Sequence, residues 1–127
     1  MEPNSNQNLP NARPPLYQVI NLSYLHEISM GDVEFEREIA ERFLHLIDDD
    51  LSALAKHAEH KDLDALKKHA HHTLSTVAVM GLNPWLEKHL KAMEHQSLSA
   101  TEINSCLRII SDICEKAKAD ARLFLGS

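Results

Sequence analysis

The chain has 127 residues, 43% hydrophobic and 25% charged, with net charge −6, a balance that fits one globular domain and excludes wholesale disorder. The acidic balance argues against a nucleic-acid binder, and no apolar run approaches the ~20 residues that span a bilayer, so no membrane insertion is expected. Two cysteines and no export signal point to reduced thiols and a cytoplasmic protein.

Residues 1–16 hold four of the five prolines (Pro3, Pro10, Pro14, Pro15) among asparagines. Such a segment buries too little apolar surface to offset its ordering entropy, so it reads as a flexible tail or linker. The helical domain then covers residues 17–127. Leu16 to Ile28 predicts a short, partly irregular first helix. Asp32 is placed to cap the next one, with Glu34 and Glu36 in its first turn. From Asp32 to Met80 there is no Gly or Pro. Within it Phe35, Ile39, Phe43, Leu46, Ile47, Leu51, Leu54, Ala55 and Ala58 recur at helical spacing as a candidate core face. His60-Lys61-Asp62 predicts a tight turn, followed by a second stripe of Leu63, Leu66, Ala70, Thr73, Val77 and Met80. Gly81 stops that helix, and Pro84 opens the next at its first position, with Trp85, Leu86, Leu90 and Met93 inward. Residues 97–101 read as a loop, and Glu102 to Leu125 as the last helix. Its inward positions are Ile103, Leu107, Ile110, Ile113 or Cys114, Ala117, Ala121 and Phe124. No segment alternates with period two. The expected fold is all-α, an antiparallel four-helix bundle with a short extra N-terminal helix.

Nine histidines stand out in this length. His69 and His72 lie three apart and could share a metal, but neither Glu-x-x-His nor HExxH occurs, and Cys106 and Cys114 are not in CxxC form. No metal site is expected, and most of the nine read as solvated surface residues. Three glycines leave little material for a phosphate-cradling loop, and no nucleotide or nucleophile-elbow motif is present. A reactive histidine here would act on chemistry that a partner activates.

The segment from Asp62 to Leu82, with Ala70-His71-His72-Thr73-Leu74-Ser75 and the closing Gly81, resembles the histidine phosphotransfer (HPt) domain. That family's acceptor helix reads roughly A-H-x-L-K-G-x-x-x-x-x-G. The stretch Leu22 to Asp32 with Phe35 looks like the family's entry into its first long helix, and the resemblance extends over about residues 20–125. It implies a four-helix bundle that accepts a phosphoryl group from a receiver-domain aspartyl-phosphate and passes it to another receiver. It implies no nucleotide site and no cofactor of its own, Mg²⁺ being supplied by the receiver. The partners would be receiver domains of response regulators or hybrid histidine kinases, and the chain a monomer.

Two adjacent histidines compete for the acceptor role. His72 gives His-x-Leu with Leu74 but leaves Gly81 nine residues on; His71 follows Ala70 and puts Gly81 ten residues on. His71 also falls beside the buried stripe, with Lys67 and Lys68 one turn before it and Ser75 one turn after. His71 is therefore the expected phosphoacceptor and His72 the runner-up. Leu74 stands where the family has Lys, and Ser75 where it has Gly. Lys67, Lys68 and Ser75 are the expected phosphoryl-supporting residues, and Leu74 and Ala78 the receiver-docking ones. Because of those two departures, a catalytically silent adaptor that binds receivers or kinases is the alternative. An unrelated helical interaction module is a further one.

Overall fold

The computed structural model describes residues 17–126; the expected tail, residues 1–16, lies outside them. Five helices carry the chain, α1 (Ser23–Ser29), α2 (Val33–Glu59), α3 (Leu63–Ala78), α4 (Asn83–His95) and α5 (Ala100–Gly126), with no strand among the described residues. Each of α2 to α5 packs on two of the others: α3 lies on α2 and α4, and α5 on α2 and α4. The class is all-α. No helix among the described residues is long and apolar enough to cross a membrane.

Local chemistry sets the helix starts. The Asp32 side chain accepts from the Phe35 amide at 3.1 Å, and Asp62 accepts from the Ala65 amide at 3.2 Å. Each satisfies an N–H that the first helical turn leaves without a partner. Ser99 and Glu102 close a reciprocal capping box. The Glu102 amide donates to Ser99 Oγ at 3.1 Å, and the Ser99 amide donates to Glu102 Oε1 at 2.8 Å. That box starts α5 at Ala100, inside the segment expected as loop. Lys61 takes a left-handed φ of 57° in the turn between α2 and α3. Pro84 sits in the first turn of α4, one residue further in than expected.

The core departs from the sequence pattern at instructive places. On α2 the inward stripe is Glu36, Ala40, Phe43, Ile47, Asp50 and Leu54. Leu46 and Ala55, expected inside, face solvent. Leu46 and Ala55 lie beside the buried Ile47 and Leu54, on the solvent side of the stripe, while Glu36 and Asp50 take the inward positions next to half-buried Phe35 and Leu51. Leu63 is exposed at the start of α3, and Trp85 is 46% exposed. Trp85 still anchors, because its indole N–H donates to the Val19 carbonyl at 3.1 Å.

Residues 17–22 do not join the first helix. They form a strap whose Val19, Ile20 and Leu22 are buried in the core. The amides of Gln18, Val19 and Ile20 all donate to the carboxylate of buried Asp120, at 2.9, 2.8 and 3.1 Å. The Asn21 amide donates to the Met80 carbonyl at 3.0 Å. Helix continuation would forfeit those bonds, so tertiary contacts override the local apolar spacing. Gly81 lies directly beneath the strap at φ 71°, and a Cβ there would run into the Asn21 carbonyl. Its glycine serves both a helix stop and a chain crossing.

Candidate functional site

Helix α3 runs between α2 and α4, and its histidines are shared between the two seams. Ala70 and Thr73 point into the core with Leu66 and Val77. That fixes the rotation of the helix and sends His71 toward α4, and His69 and His72 toward α2.

On the α4 side, His71 Nδ1–H donates to Glu94 Oε2 at 2.6 Å; an ionised carboxylate only accepts, so this nitrogen carries the proton. The His71 side chain is 70% exposed while that of Glu94 is 17% exposed. Glu94 is therefore a fixed partner, and the imidazole projects from it with Nε2 outward. His95 Nε2 lies 3.3 Å from the other Glu94 oxygen. Lys67, Lys68, His71 and Glu94 line one shallow surface depression, which puts two cationic side chains beside the exposed ring. Lys67 is half-buried and Lys68 exposed.

On the α2 side, His69 Nε2–H donates to Asp50 Oδ1 at 2.8 Å. His72 Nε2 faces the same oxygen at 3.6 Å, beyond hydrogen-bond distance. The rings of His57, His69 and His72 follow one another at 6.0 and 5.3 Å between centroids. Asp50 is buried, and its Oδ2 has no hydrogen-bond partner.

The other expected residues are distributed along the same helix. Ser75 is exposed, and its hydroxyl donates to the His72 carbonyl at 2.8 Å, within the helix and away from the His71 ring. Leu74 is half-buried and packs on the core. Ala78 and Ser75 line a groove with Tyr24, Val79, Gly81 and Pro84. The arrangement thus brings together His71, Lys67 and Lys68, and places Ser75 and Ala78 in a neighbouring groove.

Most of the histidines are surface residues as expected, six of the nine being exposed and none buried, but five of the nine also have a carboxylate neighbour. His26, His69, His71, His72 and His95 each face a carboxylate of Glu36, Asp50 or Glu94 within 4 Å. In the run Asp48-Asp49-Asp50 the first two residues are exposed and Asp50 is buried, and Asp48 holds Lys118 at 2.7 Å. Glu94 escaped sequence reading because it lies 23 residues from His71. Its signal was the position one residue beyond the inward Met93 of α4, at the edge of the buried face. Among the described residues, no group of three or more His, Cys, Asp or Glu side chains is placed to hold a metal ion.

Compared with known proteins, the chain matches no family model, no curated protein and no solved structure. The site must be judged on its own chemistry.

Proposed function

We propose that the chain is a phosphorelay intermediate of the histidine phosphotransfer type, with His71 as the acceptor. The observation that carries the reading is the pairing of His71 with Glu94: an exposed imidazole whose Nδ1 is held, leaving Nε2 outward beside Lys67 and Lys68. A carboxylate on one ring nitrogen fixes the tautomer in which the other bears the lone pair. It also stabilises positive charge that develops on the ring during attack.

In the transfer step the Nε2 lone pair forms a bond to phosphorus as the P–O bond of the receiver's aspartyl-phosphate breaks. The bonding electrons leave with the aspartate carboxylate, and the Nδ1 proton stays on the ring against Glu94. The reverse step, to a second receiver, uses the same geometry. Lys67 and Lys68 offset part of the added charge. The Mg²⁺ that the resemblance implies belongs to the receiver. In this reading α2 to α5 form an antiparallel four-helix bundle with α1 as the short extra helix, the chain is a cytoplasmic monomer, and Ala78 with the groove around Tyr24 and Pro84 docks the receiver.

The test is to incubate the chain with a phosphorylated receiver and follow acid-labile, base-stable label. Transfer that maps to His71 and disappears in His71→Gln supports the reading; a folded chain that takes no label overturns it. A silent adaptor is the second reading. It is favoured by Leu74, an apolar side chain packed on the core where the family carries a phosphoryl-binding lysine. Receiver binding without transfer would select it.

A further inference from the structure

His71 and His72 are adjacent on α3, are 70% and 59% exposed at their side chains, and are chemically identical. What separates them is the ring nitrogen that a carboxylate faces. Glu94 engages Nδ1 of His71 and leaves Nε2, the nitrogen farther from the backbone, open. Asp50 faces Nε2 of His72, the corresponding nitrogen of that ring.

We propose that Asp50 is the residue that selects the acceptor, withholding Nε2 of His72 from phosphoryl transfer so that His71 is the histidine used at that ring position. This inference rests on the phosphotransfer reading. Asp50 is a positioning residue, acting through His69 and His72.

Three features of the surroundings support it. Asp50 Oδ1 accepts the Nε2–H of His69, which ties α3 to α2 and fixes the side of the helix on which His72 emerges. Asp50 Oδ2 is buried without a hydrogen-bond partner, so it has capacity for a second imidazole N–H. The cation nearest in kind, Lys118 on α5, is committed elsewhere, to Asp48 at 2.7 Å and Glu115 at 2.9 Å. The other titratable side chains around Asp50 are the imidazoles of His57 and His69 and the thiol of Cys114, and the one cation on α3 within a turn of His72 is exposed Lys68. A phosphoryl group approaching His72 Nε2 therefore meets the Asp50 carboxylate, whose Oδ1 lies 3.6 Å from that nitrogen. The same group approaching His71 Nε2 meets Lys67 and Lys68. Like charge at short range in a partly buried site disfavours the first encounter, and opposite charge favours the second.

A chemical donor tests this without any receiver. Phosphoramidate transfers its phosphoryl group to imidazole: the Nε2 lone pair forms the new P–N bond, the donor's P–N bond breaks, and ammonia leaves with the electron pair. The full-length chain, His71→Gln, Asp50→Asn and the double variant are treated with potassium phosphoramidate, and the label is mapped by mass spectrometry at alkaline pH. Folding of each is checked by circular dichroism. The expected result is label on His71 in the parent, about tenfold less on His72 in His71→Gln than in the same chain unfolded in urea, and recovery of that loss in the double variant. Rapid labelling of His72 in folded His71→Gln overturns the inference, as does a folded double variant whose His72 stays unlabelled. If Asp50→Asn does not fold, the folded-to-urea ratio in His71→Gln decides alone. No label on either histidine of the folded parent also overturns it. Failure of a phosphorylated receiver to label His71, with the chemical donor succeeding, counts against the phosphotransfer reading only.

Discussion

His71 Nδ1 and Glu94 Oε2 lie 2.6 Å apart across the seam between α3 and α4, with the acid largely buried and the base largely exposed. The asymmetry matters because a half-buried carboxylate has less freedom than the exposed ring, so it sets where the ring points. Glu94→Gln keeps the shape but removes the charge and can present the wrong hydrogen-bonding group. It is expected to slow labelling of His71 by about tenfold or more, with helix content unchanged, and Glu94→Ala to slow it further. Imidazole ¹⁵N shifts provide a second measurement: the parent should show the Nδ1–H tautomer at His71, and Glu94→Ala should lose that preference.

Glu36 supplies a pH dependence that is independent of the candidate site. It is buried at the start of α2, and its Oε2 accepts from His26 Nδ1 at 2.8 Å and from the Ser29 hydroxyl at 2.5 Å. The hydrogen bond from His26 first, and that from Ser29 second, hold its pKa below the usual 4.5 against the opposing effect of burial. A carboxyl whose folded pKa is depressed contributes stability that is fully present above its unfolded pKa. That contribution is lost as pH falls through the folded value. Thermal melts from pH 6 to pH 3 should therefore show a steeper acid loss for the parent than for Glu36→Gln, which starts lower and stays flatter. Ser29→Ala should cost about 1–2 kcal/mol near pH 7 by leaving buried Glu36 short of a donor.

Much of the fold is legible in the sequence because it follows from spacing and capping. Asp32 and Asp62 start helices where their side chains can accept, Gly81 ends one, and the stripe from Leu66 to Val77 on α3, with Met80 just beyond it, is buried as its period requires. What was not legible depends on partners distant in the chain. Asp50 and Glu36 occupy core positions that an apolar count assigns to their neighbours, and they are tolerated there because histidines on other elements donate to them. The strap at residues 17–22 stays out of helix because Asp120, about a hundred residues away, accepts three of its amides. At the site, His71 with Lys67 and Lys68 follows from helical geometry alone. Glu94 needs the packing of α4 on α3.

Asp120 should behave as a stability residue. Asp120→Ala leaves three amides of the strap without their acceptor, two of them in buried bonds. The expected loss is about 2–4 kcal/mol, measured by urea denaturation, with faster amide hydrogen exchange confined to residues 18–20 in the folded population.

The two thiols should react in a fixed order. Burial pushes Cys114 up to about 12, while half-buried Cys106 is raised by burial and by Glu102. At pH 8 neither is substantially thiolate, the reactive form. Alkylation of the native chain should be slow at Cys106 and absent at Cys114 until denaturant is added. Fast native modification of Cys114 would show that α5 opens locally.

Trp85 is the only tryptophan in the chain, and its indole N–H is bonded to the backbone of the strap at Val19. Its fluorescence is consequently a built-in gauge for lifting of that strap. Tension or a bound partner acting on the chain before residue 17 would change indole emission before any helix melts. An observer following emission and far-ultraviolet dichroism together could separate peeling of the N-terminal strap from unfolding of the body.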